Sequence, residues 1–131
     1  MAGQVDLVIF DCDGVLVDSE AIDDEVVSEM MAELGVNMTP ADVNRLTRGL
    51  AHRDMWVRLT HEYGIEIPAH FSARYEIVAL EAMKRRLQPI AGVRDVLEQL
   101  TRADLPICVA SSASPPAVRL VKSVVMCRSL R

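Results

Sequence analysis

Two carboxylates one residue apart, Asp11 and Asp13, followed by Gly14, close an apolar run that begins at Val5. Such a pair can serve Mg²⁺, which prefers octahedral oxygen ligands, keeps several waters and takes one or two carboxylates. The two groups can also divide labour. One attacks as a nucleophile while the other, its pKa raised by a like-charged neighbour, keeps a proton for a leaving group. Gly14 lets the backbone approach an anion closely, and the N–H groups from Cys12 to Gly14 could form an anion-binding nest. On spacing alone the same letters also make an ordinary Asx turn, so their place in the chain has to decide. A second polar cluster, Ser111-Ser112-Ala113-Ser114-Pro115-Pro116, offers the Ser111 hydroxyl and the Ser112 N–H to a phosphate oxygen, or is plain turn chemistry.

Both clusters follow strand-like runs. Val5 to Phe10 and Leu105 to Ala110 read as short strands buried on both faces, as in a parallel sheet covered by helices. Ligands of open α/β sheets bind just past the carboxyl ends of the strands, which is where these clusters lie. Between the strands the periodicity is helical. Ile22, Val26, Met30 and Leu34 stripe a helix over Ala21 to Leu34, stopped by Gly35. Thr39, Pro40 and Asp42 read as N-cap, first helical residue and first-turn acid of a short helix to about Arg48. His52 to Tyr63 and about Phe71 to Leu87 make two more, on the faces of Met55, Trp56, Leu59 and Tyr63 and of Tyr75, Val78, Ala79, Ala82 and Met83.

Pro89 and Gly92 mark a return linker, after which Val93, Val96, Leu97 and Leu100 recur at helical spacing. The predicted architecture is therefore α/β, a parallel-sheet βαβ crossover with an all-helical block spliced into its first loop. Residues 1–19 and 88–131 form the α/β core and residues 20–87 the helical domain. The tail from Ala117 carries Val118, Val121, Val124 and Val125 on a plausible helix and then loses periodicity at Cys127. Two parallel strands cannot close a sheet, because both outer edges keep unpaired N–H and C=O groups. The core is expected to be incomplete, with possible self-association through the unfinished edge.

Composition narrows the partners. The chain has 131 residues, 50% hydrophobic and 25% charged, enough for one ordinary globular domain and too few for two well-filled ones. A formal net charge of −5, with Lys84-Arg85-Arg86 the one short basic run, argues against nucleic acid and anionic membrane. An anionic small substrate then needs local help such as a metal ion. The three cysteines, Cys12, Cys108 and Cys127, stand at wide spacing and suggest neither a disulfide framework nor a zinc site; they read as reduced, buried thiols. With no basic leader and an apolar run of only six residues near the N-terminus, neither a signal peptide nor a membrane span is expected, and the cytoplasm is the default location.

Taken together, Val-Ile-Phe-Asp11-Cys-Asp13-Gly14-Val-Leu-Val-Asp18-Ser19-Glu20, the helical insert, Pro-Ile-Ala-Gly-Val at 89–93 and Val-Ala-Ser111-Ser112 resemble the haloacid dehalogenase superfamily over about residues 4 to 120. The subgroup resembled has a helical cap and contains β-phosphoglucomutase and phosphoglycolate phosphatase. The resemblance implies a Rossmann-like core and Mg²⁺-dependent phosphoryl transfer from a small phosphorylated metabolite, a sugar phosphate first among them. It implies Asp11 as the nucleophile that becomes aspartyl-phosphate and Asp13 as general acid and then base. Mg²⁺ would sit on the Asp11 carboxylate and the Asp13 carbonyl, and Ser111 would bind the phosphoryl group. Asp13 favours phosphate esters over haloacids or phosphonates, since those branches lack an aspartate two residues after the nucleophile.

Arg48-Gly49-Leu50-Ala51-His52-Arg53-Asp54 resembles the subgroup's substrate loop, with Arg48, His52 and Arg53 as candidates for a substrate's distal groups. A solvated helix start is the competing reading, and His61 and His70 read as surface residues. A β-phosphoglucomutase-like mutase is the alternative within phosphoryl transfer. A non-catalytic remnant that acts through protein association is the alternative outside it. Family members carry a later lysine and a later acidic motif that these 131 residues lack. Lys122 lacks the expected glycine- and proline-rich context. The chain therefore reads as a truncated or frame-shifted form and is expected to be a poor catalyst alone, because phosphoryl transfer relies on electrostatic stabilisation.

Overall fold

In a computed structural model the described residues are 4–125. They run β1 (Val8–Phe10), α1 (Glu20–Glu33), α2 (Pro40–Thr47), α3 (His52–Tyr63), α4 (His70–Arg86), α5 (Val93–Arg102), β2 (Ile107–Val109) and α6 (Pro115–Val125). Contacts divide the chain into a unit of Met1–Ser19 with Arg86–Arg131 and a unit of Glu20–Arg85.

In the first unit β1 and β2 pair in parallel, Val8 with Ile107, Ile9 with Cys108 and Phe10 with Val109. Each strand is shorter than its apolar run, and neither is buried on both faces. Ile9 is 61% exposed and Cys108 is also exposed, whereas Val8, Phe10, Ile107 and Val109 are half-buried. Sequence alone misjudged this because β-branched content reports what a strand is suited to bury, and burial needs a covering layer to exist. The expectation of buried thiols fails at Cys108 for the same reason. Cys12 is fully buried, and Cys127 lies outside the described residues.

The return linker is an element of order. The Asp18 N–H donates to the Gln88 carbonyl at 3.2 Å and the Ile90 N–H to the Leu16 carbonyl at 3.0 Å. An antiparallel bridge between Val17 and Pro89 thereby clamps together the two points where the chain leaves and re-enters this unit. Leu16 and Val17 are buried beside it, so the apolar half of the loop after Gly14 anchors the polar half.

The second unit is helical. Ile22, Val26, Val27, Met30 and Met31 of α1 are buried, as are Val43 and Leu46 of α2, Met55, Trp56 and Leu59 of α3, and Phe71, Tyr75, Ala79, Ala82 and Met83 of α4. Trp56 meets Phe71 and Tyr75 edge-on, with ring centroids 6.2 and 5.7 Å apart. These are the T-shaped arrangements that ring quadrupoles favour. A two-pronged Arg74–Glu33 pair joins α4 to the end of α1, one of its bonds 2.6 Å long.

The start of α2 follows its sequence closely. Thr39 Oγ1 accepts the Asp42 N–H at 3.2 Å, and the Asp42 carboxylate accepts the Thr39 N–H at 2.9 Å, a complete capping box with Pro40 in the first turn. These bonds from Thr39 hold the Asp42 carboxyl below its ordinary pKa, with Arg45 assisting. Thr39→Ala should cost about 1 kcal/mol in urea unfolding near neutral pH. A carboxyl with a depressed folded pKa adds stability above the usual carboxylate range and loses it as pH falls through the folded value. Asp42→Asn should therefore flatten the acid limb of the stability profile; an acid limb identical to that of the parent chain would contradict this role.

Candidate active site

β1 ends at Phe10 and the chain turns back at once. The Leu16 N–H donates to the Cys12 carbonyl and the Gly14 N–H to the Val17 carbonyl, both at 2.9 Å. Gly14 has φ 71°, a left-handed conformation that a side chain would oppose. Cys12 is buried under this turn while Asp11 and Asp13 on either side of it are exposed. Burial of one residue between two exposed ones is what presents both carboxylates beyond the strand end.

Each carboxylate has a local anchor. Asp11 Oδ1 accepts the Cys12 N–H at 2.7 Å. Asp13 Oδ1 accepts the hydroxyl of Ser19 at 2.7 Å, and Ser19 is wholly buried. Ser19 is the site residue that sequence reasoning missed. Its hydroxyl reaches back six residues to Asp13, a bond that no local pattern around Ser19 announces. Of the N–H groups from Cys12 to Gly14, that of Cys12 bonds to Asp11 Oδ1 and that of Gly14 to the Val17 carbonyl.

The parallel register brings the second cluster alongside. Past the paired residues the Ala110 N–H donates to the Phe10 carbonyl at 2.9 Å, so the two loops leave the sheet side by side. Ser111 lies close enough to Cys12 for its hydroxyl to hold the thiol pKa down against burial. The Ser111 oxygen also accepts the Ala113 N–H at 3.0 Å, the turn bond expected of such a sequence, and Ser112 is exposed beside it. Asp11, Asp13 and Ser111 are thus gathered at the carboxyl end of one sheet, on a scaffold of Cys12 and Ser19.

Cys12 itself is electrostatically discouraged from reacting. Burial pushes its thiol pKa up, the Ser111 hydroxyl pulls the other way, and the charges of Asp13 and Asp11 add to the rise while Lys122 opposes it. The thiolate is the reactive form. Iodoacetamide near neutral pH is therefore expected to modify Cys108 in the folded chain and to spare Cys12, as read by peptide mass spectrometry. Equal rates at the two positions would contradict the packing described for this loop.

Among the described residues no group of three or more His, Cys, Asp or Glu gathers as a metal site. The donors at the strand end are the oxygens of Asp11 and Asp13, both open to solvent. Hard oxygen donors in small number, with room for water, suit Mg²⁺ and suit zinc or copper poorly.

The helical unit has its own pocket, about 130 Å³, between the acidic start of α1 and the α2–α3 connection. Arg48, Gly49 and His52 line it with Glu20, Asp23, Asp24, Asn44 and Tyr75, whereas Arg53 is not among its lining residues. His52 Nε2 lies 3.4 Å from the Tyr75 hydroxyl, the rings edge-on with centroids 4.9 Å apart. Asn44 donates to Asp24 at 3.0 Å. Burial raises the Asp24 pKa against the pull of that bond, and the charge of Glu20 adds to the rise. Gly49 holds φ 79° at the bend that brings Arg48 and His52 together. His61 and His70 are exposed, as surface residues would be.

Comparison with known proteins gives the same outline. A family model for the haloacid dehalogenase-like hydrolases matches residues 5–124. The chain is 30% identical over 112 residues to the 6-phosphogluconate phosphatase of Escherichia coli (strain K12), covering 83% of this chain and 48% of that protein. A crystal structure of a conserved haloacid dehalogenase-like protein from Agrobacterium tumefaciens str. C58 superimposes with a TM-score of 0.78 at 30% identity, over 93% of this chain and 54% of that one. A family hydrolase from Deinococcus radiodurans R1, crystallised with bound phosphate and sodium, gives a TM-score of 0.70 at 26% identity over 92% of this chain and 52% of its own. The chain spans about half the length of the curated relatives it matches.

Proposed function

The chain belongs to the haloacid dehalogenase-like hydrolases, and on that premise we propose that its strand-end carboxylates perform Mg²⁺-dependent phosphoryl transfer from a small phosphorylated metabolite, a sugar phosphate in the first instance. The observation that carries this reading is the gathering of Asp11, Asp13 and Ser111 at the carboxyl end of the β1–β2 pair, with Ser19 bonded to Asp13. A relative at 30% identity is named as a phosphatase of 6-phosphogluconate, a phosphorylated sugar acid. A further relative carries bound phosphate in its crystal structure.

In this proposal an Asp11 oxygen attacks phosphorus and the P–O bond to the leaving alcohol breaks, while a protonated Asp13 delivers its proton to that departing oxygen. Asp13, now ionised, takes a proton from water, the water oxygen attacks phosphorus, and the bond to Asp11 breaks to release phosphate. The Ser111 hydroxyl and the exposed Ser112 hold the phosphoryl oxygens. Mg²⁺ held by the Asp11 carboxylate and the Asp13 backbone carbonyl would supply charge stabilisation. The helical unit acts as the cap, with Arg48, His52 and Arg53 reading the distal part of the substrate and Gly49 permitting the bend. The proposed location is the cytoplasm; among the described residues no helix is long and apolar enough to cross a membrane.

The test is product analysis with purified chain at concentrations near those of substrate. Free phosphate released from 6-phosphogluconate or a hexose phosphate with Mg²⁺, and lost on chelation, is expected. An isomerised sugar phosphate without free phosphate would make the reaction a mutase. Phosphate release undiminished by chelation would remove the metal from the account.

A further inference from the structure

The cavity of the helical unit is unevenly charged. Glu20, Asp23 and Asp24 of α1 bring three carboxylates to its lining, against the guanidinium of Arg48 at the α2–α3 connection. Asn44 and His52 add neutral polar groups. At about 130 Å³ the cavity has room for several water-sized groups, such as the terminal carbinols of a sugar chain.

Asp24 is held in place within it. The residue is half-buried, and the Asn44 side-chain amide of α2 donates to its Oδ2 at 3.0 Å. The other oxygen, Oδ1, keeps its lone pairs for a ligand hydroxyl. Burial and the neighbouring Glu20 charge both disfavour the ionised form of Asp24. A further anion placed beside these groups meets the same repulsion, since like charges brought together in a desolvated site are costly. A hydroxyl meets none of it. It can donate to a carboxylate and accept from Arg48, so it matches the mixture of acceptors and donors in the lining.

On the reading that the strand-end carboxylates transfer a phosphoryl group while the helical unit reads the far end of the substrate, we infer that this cavity takes an uncharged, hydroxyl-bearing end and rejects an anionic one, with Asp24 as the specificity-determining residue. The substrate class is then a sugar or polyol monophosphate whose far end is neutral. Phosphorylated sugar acids and bisphosphates are poor substrates. The Escherichia coli relative, named for 6-phosphogluconate and 30% identical, then differs from this chain in what it accepts at that end.

Sorbitol 6-phosphate and 6-phosphogluconate make a matched pair, equal in chain length and differing at C1, where one has a hydroxymethyl group and the other a carboxylate. The ¹⁵N-labelled 131-residue chain is titrated with each ester without Mg²⁺, following the Asn44 side-chain amide and the Gly49 amide by NMR. Phosphate release from each ester is then measured with Mg²⁺ at chain concentrations near those of substrate. The sorbitol ester should move both signals, bind ~10-fold or more tightly than the acid and release phosphate faster by a similar factor. Asp24→Asn removes one charge yet keeps the bond from Asn44 through its amide oxygen, so it should narrow the preference by about 10-fold. Glu66→Gln makes the same change of charge at an exposed position outside the cavity and should leave the preference unaltered.

Equal or tighter binding of 6-phosphogluconate would overturn the inference. So would a preference that Asp24→Asn leaves intact, or sorbitol 6-phosphate that leaves the Asn44 and Gly49 signals unmoved. Preferential binding of the sorbitol ester with no phosphate release from either compound would sink the phosphoryl-transfer reading alone and leave the specificity of the cavity standing.

Discussion

Asp11→Asn should eliminate Mg²⁺-dependent phosphate release by this chain, a loss of roughly 10³-fold or more, as expected when a reaction's covalent nucleophile is removed. The substitution keeps the size of the side chain, and the amide oxygen can still accept the Cys12 N–H that Asp11 accepts at 2.7 Å. Stability should therefore hardly change, which separates loss of chemistry from loss of fold. Thermal melting of parent and variant should agree while single-turnover phosphate release differs. A variant that melts with the parent and retains most of its phosphate release would remove Asp11 from the nucleophile's role. Turnover by this chain alone is expected to be slow, so the measurement belongs at stoichiometric rather than catalytic concentration.

Asp13→Asn should be almost as damaging, but its signature depends on the leaving group. A general acid contributes about 10²–10⁴-fold when the departing oxygen needs a proton. For a sugar alkoxide that need is strong, and for p-nitrophenolate it nearly vanishes. Phosphate release from a hexose phosphate should fall by about 10³-fold in the variant, and the formation step with p-nitrophenyl phosphate by far less, roughly 10-fold. Equal losses with both substrates would argue that Asp13 acts through structure or metal binding. Ser19→Ala gives an intermediate case. It removes the hydroxyl that donates to Asp13 and leaves the carboxylate in place, so it should lower the sugar-phosphate rate more than the p-nitrophenyl phosphate rate. The same change should cost stability about 1 kcal/mol, the usual net worth of one hydrogen bond.

The sequence made the helices easy to read because their signals are local. The Thr39, Pro40 and Asp42 start of α2 and the Gly64 stop of α3 each act within one turn of chain. Asp11, Asp13 and Ser111 were legible for a different reason: a polar cluster directly after an apolar run marks a strand end wherever the strand sits. What a side chain does across a turn or a sheet was harder to see. The Ser19 hydroxyl reaches back six residues to Asp13, and the Gly14 N–H closes the turn through the Val17 carbonyl. Ile9 and Cys108 sit in runs suited to burial yet are exposed, because burial depends on a covering layer that a strand's own letters do not specify.

A covalent bond between Asp11 and phosphorus is the centre of the proposed reaction, and that bond can be sought directly. The chain is mixed with hexose phosphate and Mg²⁺, quenched within one turnover and reduced with borohydride, which converts an acyl phosphate into an alcohol. Peptide mass spectrometry then locates the change. Homoserine at position 11, absent when Mg²⁺ or substrate is omitted, is the predicted result. An unmodified Asp11 in a sample that has released phosphate, or a reduced residue elsewhere in the chain, would contradict it.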